Sequence, residues 1–213
     1  AMLTPEMMLD ERLRFPDPRA ARADGLVAVG GDFAPERLLL AYHSGIFPWT
    51  VRPISWWSPD PRAIFEIENF TLSTRMQRVF RSGRFTFSLD RCFTRVMEGC
   101  AAPAPGREST WISPEFIAAY TRLHKIGYAH SAEVWHGGQL AGGVYGVAIG
   151  GFFAGESMFH TVSNASTMAL AFLIEHLKKQ GFELFDSQVI SPHTASLGAI
   201  EICRKDYLFR LSR

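Results

Sequence analysis

Two apolar runs, LAGGVYGVAI (140–149) and FFAGESMF (152–159), meet at Gly150-Gly151. A glycine pair between two β-prone runs predicts an antiparallel hairpin of long strands. A hairpin is not stable alone and must find further strands or helices to cover it. The flanking sequence offers them. A helix is expected to start at Ser113 (N-cap) and Pro114 (first turn) and to stop near Gly127, with Phe116, Ile117, Tyr120 and Leu123 inward. A strand follows at His130 to Trp135. After the hairpin, Asn164 to Gln180 carries Ala165, Met168, Ala169, Phe172, Leu173 and His176 at helical spacing, with Gly181 as its stop. FELFDSQVI (182–190) then reads as a buried strand. Helix, three strands, helix, strand predicts an α+β fold with a mixed sheet.

The segment before this block is rich in Pro, Gly and Trp and holds one clear helix, roughly Pro35 to Ser44, with Gly45 as its stop. Ser58-Pro59-Asp60-Pro61 is the turn-dense stretch that marks a boundary. A small N-terminal domain, 1–61, and a larger one, 62–213, are therefore expected. The chain of 213 residues is 47% hydrophobic and 20% charged, which excludes a disordered or fibrous protein. No apolar stretch approaches the roughly 18 residues of a membrane span, and no signal-peptide pattern opens the chain. Ala1 ahead of Met2 reads as an addition outside the fold. Cys92, Cys100 and Cys203 are odd in number and lack metal spacing, so a reducing cytoplasm is the expected location. None of the seven histidines forms an HxxxH or HxH pair, and no metal or other cofactor is expected.

The net charge of +1 conceals a polarised chain. From Thr71 to Arg95 there are six arginines against one acid, whereas the segment up to Asp60 has six arginines against eight acids. Arg75, Arg78 and Arg81 recur every third residue, with Arg84 next, and on a helix would form one stripe. Such a stripe is either a solvated face or a phosphate-binding one. Trp49, in GIFPW, and Trp111, in STWISP, sit in turns, where a tryptophan either caps a core or stacks on a base.

FELFDSQVI sets Asp186 and Gln188 on one strand face by alternation. An acid and an amide inside an apolar strand need partners to offset desolvation. Glu156 poses the same problem inside FFAGESMF. If the two strands are neighbours, the three side chains converge, which favours a site over a satisfied buried pair.

GLVAVGGDFAPERLLLAYHSGIFPW, WWSPDPRAIF, TWISPEFIAAY, HSAEVW, GGVYGVAIGGFFAGESMF, NAS, DSQ and HTASLGA, in this order from about Phe15 to Leu208, resemble the leucyl/phenylalanyl-tRNA–protein transferases. The resemblance implies a small N-terminal domain followed by an acetyltransferase-like (GNAT-like) catalytic domain. It implies transfer of leucine or phenylalanine from Leu-tRNA or Phe-tRNA to the N-terminal Arg or Lys of an acceptor protein, which marks that protein for degradation. It implies adenosine stacking on Trp49 and Trp111, and reaction beside Asp186, Gln188 and Glu156. The aminoacyl side chain would enter a pocket of Val144, Gly155, Ser157, Met158, Leu170, Leu173 and Phe185. The tRNA body would meet Arg75, Arg78, Arg81 and Arg84. A monomer without membrane contact is expected. His160-Thr161 stands where the family has Ser-Arg, and Thr167 where it has lysine, so dependence on the arginine stripe should be greater in this chain. Residues larger than Val144 and Leu173 are usual in the family, so preference between Leu and Phe does not carry over. Two rivals remain. An acetyl-CoA-dependent acetyltransferase would need a glycine-rich pyrophosphate turn where this chain reads HTVSNAS, and a non-catalytic RNA-binding module would leave Asp186, Gln188 and Glu156 unexplained.

Overall fold

The computed structural model describes residues 2–104 and 110–213. The first segment builds a four-stranded sheet from β1 (Met8–Leu9), β2 (Leu26–Gly30), β3 (Phe47–Val51) and β4 (Ile54–Trp57), in the order β1-β2-β4-β3. Between β2 and β3 runs α1 (Pro35–His43), which begins on a proline and stops ahead of Gly45 at φ 81°. Its inward face carries Arg37, Leu38, Ala41 and Tyr42. The helix was legible in the sequence; the strands around it are an addition, because their short runs lack clean alternation.

The chain then enters a seven-stranded sheet. Its elements are β5 (Arg62–Glu66), α2 (Thr74–Arg81), β6 (Thr86–Leu89), α3 (Phe93–Ala101), α4 (Pro114–Lys125), β7 (Ala129–His136), β8 (Gln139–Ile149), β9 (Phe152–His160), α5 (Ala165–Lys179), β10 (Leu184–Gln188), α6 (Pro192–Ser196), β11 (Ile200–Ile202) and α7 (Arg204–Leu211). The strand order is β11-β5-β10-β9-β8-β7-β6. Every neighbouring pair is antiparallel except β9 and β10, which are parallel and joined through α5. This is the mixed α+β class expected, with the hairpin β8–β9 at its centre.

α5 is buried almost all round. Leu170, Leu173, Ile174 and Leu177 join Val144, Phe153 and Phe185 in one core cluster on its face of the sheet. A fully buried side chain of this size contributes about 1.5–3 kcal/mol. On the other face, Phe116, Tyr120 and Leu123 of α4 pack with Val96 and Met97 of α3. The same cluster takes in Leu38 and Trp56 of the first segment, so the two sheets share a core.

The parallel pair β9/β10 positions the site. Its register holds over Leu184↔Phe152, Phe185↔Phe153 and Asp186↔Ala154, and then ends while β9 continues to His160. Beyond Asp186 the strands part and leave a wedge, with Glu156 on one arm and Gln188 on the other.

Candidate active site

The wedge opens into a cleft of roughly 600 Å³. Glu156 and Gln188 meet across it: Gln188 Nε2 donates to Glu156 Oε2 at 2.6 Å. They meet because β10 departs from regular strand geometry. Gln188 has φ 64°, a left-handed conformation for a residue that is not glycine, and the pairing with β5 shifts register between Asp186 and Gln188. A bulge of this kind re-aims a side chain, and backbone held in a sparsely populated region clusters at functional sites.

The bulge also corrects the expected placement of Asp186. Alternation puts Asp186 and Gln188 on a shared face, and the family resemblance puts both beside the reaction. Instead, Asp186 is 1% exposed and does not line the cleft. Its oxygens accept from Arg62 Nε at 3.0 Å, Arg62 Nη2 at 2.7 Å and the Tyr207 hydroxyl at 2.9 Å. Asp186 Oδ1 also accepts from the Gln188 backbone N–H at 2.8 Å, which holds the left-handed turn. Asp186 therefore sets the backbone from which Gln188 projects, and Glu156 sets the amide.

Arg62 is equally buried. Its Nη1 donates to the Gly45 carbonyl at 2.9 Å and to Ser58 Oγ at 3.2 Å, and its guanidinium lies 4.2 Å from the Tyr207 ring centroid. A buried ion pair is tolerable only when its remaining donors and acceptors are also satisfied. Arg62 and Tyr207 escaped the sequence reading. The available signal was a lone cation heading the apolar run RAIF, but its partner lies 124 residues away.

Behind Glu156 lie further hydroxyls. The Tyr42 hydroxyl of α1 acts on the carboxyl from this side, and the Tyr42 and Tyr120 hydroxyls are 2.5 Å apart. Burial, reinforced by the Glu156 charge, raises both phenols well above their ordinary range, so they stay protonated. Burial also dominates Glu156. It pushes the carboxyl up to about 8, with the Asp186 charge adding to the rise and the Tyr42 hydroxyl and Gln188 amide opposing it. A carboxyl titrating there can carry a proton near neutral pH.

Of the expected side-chain pocket, Val144, Gly155, Ser157, Met158 and Phe185 line the cleft, and Phe65 joins them. Gly155 has no room for a side chain, since a Cβ would come within 2.6 Å of the Phe185 ring. Leu170 and Leu173 do not line the cleft. They are buried in α5, in the same cluster as Val144 and Phe185, and back that wall. Trp49, on β3, and Trp111, ahead of α4, both border the cleft and are 49% and 38% exposed. Trp57 supports Trp49 edge-on, with ring centroids 5.5 Å apart.

The arginine stripe is real but shorter than expected. Arg75, Arg78 and Arg81 are exposed on α2, while Met76, Val79 and Phe80 pack inward. Arg84 lies beyond the helix end, after Gly83 at φ 79°, with its guanidinium 5.0 Å from the Phe85 centroid. Thr161 donates to the Ala141 carbonyl and Thr167 is buried, so both hydroxyls are turned into the protein's own structure. Among the described residues no group of three His, Cys, Asp or Glu side chains converges as a metal site, and no helix is long and apolar enough to cross a membrane.

Residues 64–212 match the family model described as leucyl/phenylalanyl-tRNA protein transferase, and residues 31–60 match the model of that family's N-terminal domain. A leucyl/phenylalanyl-tRNA–protein transferase of Shewanella woodyi is 51% identical over 204 residues, covering 94% of this chain and 86% of its own length. One from an Anaeromyxobacter species is 50% identical over 208 residues, covering 96% and 88%. Among solved structures, a GCN5-related N-acetyltransferase from Kribbella flavida aligns with a TM-score of 0.42 at 10% identity, over 79% of this chain and 61% of that one.

Proposed function

The chain belongs to the leucyl/phenylalanyl-tRNA–protein transferases, and from that premise we propose how its cleft moves an aminoacyl group from tRNA to a protein. The observation that carries the reading is the Gln188–Glu156 pair at the wedge, with an apolar pocket on one side and two exposed tryptophans on the cleft wall. Leucine or phenylalanine enters the pocket of Val144, Gly155, Ser157, Met158 and Phe185. The terminal adenosine stacks on Trp49 and Trp111, which leaves the ester carbonyl at the wedge. The acceptor is an N-terminal Arg or Lys, and the added residue marks that protein for degradation. The division into 1–61 and 62–213 belongs to this reading and is supported by the change of sheet between Trp57 and Arg62.

An aminoacyl ester is already activated, so alignment of the amine supplies much of the rate, up to roughly 7–11 kcal/mol in favourable cases. Gln188 gives its amide N–H to Glu156, which leaves its carbonyl oxygen to accept from the incoming amine. An amide is too weak a base to take the proton. Glu156 takes it as the nitrogen attacks the ester carbon, and returns it to the departing ribose oxygen as the ester bond breaks. Asp186, clamped by Arg62 and Tyr207, keeps the Gln188 backbone in place.

The direct test is transfer of labelled leucine or phenylalanine from tRNA to a protein beginning with Arg, beside an acetyl-CoA control. Acetyl transfer without aminoacyl transfer would overturn the reading. Two further outcomes are expected. Trp49→Ala and Trp111→Ala should each weaken binding of a short aminoacyl-adenosine mimic by about 1–3 kcal/mol. Binding equal to the unaltered protein in titration calorimetry would return both rings to a core-capping role. Replacing Arg75, Arg78 and Arg81 together by Ala should flatten the salt slope of tRNA binding by about 2–3, at roughly 0.7–0.9 per phosphate contact. Reaction with the short mimic, which lacks those phosphates, should persist. An unchanged slope would make α2 a solvated face only.

A further inference from the structure

With the aminoacyl pocket, the tryptophans and the wedge assigned, part of the cleft wall is left over. It includes Asp24 and Pro59 from the first segment, and Ser187, Val189, His193 and Thr194 from the chain at and after the end of β10. Asp24 is fixed there by its turn: Ser58 N–H donates to the Gly25 carbonyl at 2.8 Å, and Gly25, at φ 96°, abuts Pro59. Among the described residues, Asp24 and Glu156 are the acids that border the cleft. Glu156 serves as the proton carrier and is uncharged for most of the time near neutral pH, so it is a poor permanent counter-ion.

Asp24 has the opposite character. Arg22 grips its two oxygens at 2.9 and 2.6 Å, and the Leu26 backbone N–H donates at 3.2 Å. These bonds hold its carboxyl at about 2, so it is ionised at any working pH. Arg22 does not border the cleft, and the Asp24 side chain remains 48% exposed, open to a further donor.

We propose that Asp24 is the anionic subsite that receives the cationic side chain of the acceptor's first residue. The inference rests on the acceptor reading given above. With the α-amine at the wedge, a long Arg or Lys side chain runs along the unassigned wall toward Asp24. A charge-assisted hydrogen bond there distinguishes a guanidinium or ammonium from a neutral side chain of the same length. Glu156 and Gln188 then act on the amine that every acceptor carries, while Asp24 selects among acceptors.

The test uses the full chain, Leu-tRNA, and two peptides that differ in their first residue, arginine or its uncharged counterpart citrulline. The unaltered protein should prefer the arginine peptide. Asp24→Asn should raise KM for the arginine peptide about ten-fold, an effect limited because Arg22 already offsets part of the field. The change for the citrulline peptide should be far smaller, so the preference collapses. Asp24→Glu, which keeps the charge, should retain most of it. If Asp24→Asn keeps the preference, or raises both KM values equally, the subsite is not at Asp24. If the unaltered protein transfers to neither peptide, the acceptor reading itself fails, and this inference with it.

Discussion

Glu156→Gln is expected to lower the turnover of aminoacyl transfer by about 10²–10⁴-fold, the usual worth of a positioned proton acceptor. Binding of aminoacyl-tRNA should change far less, because the amide keeps the shape of the wedge and can still bond Gln188. The pH profile separates this role from a merely structural one. Below pH 7 two protons must leave before reaction, one from Glu156, which titrates near 8, and one from the acceptor amine, at about 7.7–8.0. The logarithm of the rate should therefore climb with a slope near 2 in the unaltered protein and near 1 in the variant. Equal slopes and comparable rates in stopped single-turnover reactions would remove Glu156 from proton transfer. Stability should move as well. Folding raises this carboxyl from 4.5 to about 8, so the folded state binds the extra proton between those values. The stability present below about pH 4.5 is then lost as pH rises toward 8, with no further change above. Glu156→Gln has nothing to ionise and should show a flatter stability curve across that window.

Arg62→Met should cost about 3–5 kcal/mol in urea unfolding, because it strands the Asp186 carboxylate in the core without its cation. Asp186 is 1% exposed and, among the described residues, retains the Tyr207 hydroxyl and the Gln188 N–H as donors once the guanidinium is gone. Adding Asp186→Asn to the variant removes the orphaned charge and should restore part of the loss. A cost below 1 kcal/mol for the single change would mean that the charge is balanced by other groups. Transfer activity should fall with Arg62→Met even where the protein remains folded, since the clamp holds the backbone turn at Gln188.

The parts of the fold that were legible in the sequence are those with strong local periods. α1 and α4 announce themselves by a proline start and a glycine stop, α5 by helical spacing from Asn164 to a glycine stop, and β8–β9 by two apolar runs around Gly150-Gly151. Convergence of Glu156 with Gln188 was readable as a condition on strand adjacency, and β9 and β10 are adjacent. What escaped depends on departures from regularity or on distance along the chain. A bulge at Gln188 breaks the alternation on which the face assignment of Asp186 depended. Leu170 and Leu173 carry the right chemistry for a pocket, yet periodicity does not show which buried residue is separated from a cleft by another layer. Tyr120 reads as an ordinary inward position of its helix, and nothing in the sequence singles out Tyr42. Only their three-dimensional meeting makes them a hydrogen-bonded floor beneath Glu156.

β5 has a fate that its place in the sheet decides. It is an interior strand, but both neighbours, β10 and β11, are made more than a hundred residues later. At about 5–20 residues per second of synthesis, it waits on the order of ten seconds with both edges unpaired. A short apolar strand in that condition invites pairing with other chains. Arg62 and Glu66 close its two ends with charge, the arrangement that discourages such pairing. The cation that later neutralises Asp186 thus guards the nascent strand first, before the carboxylate it will meet has been synthesised.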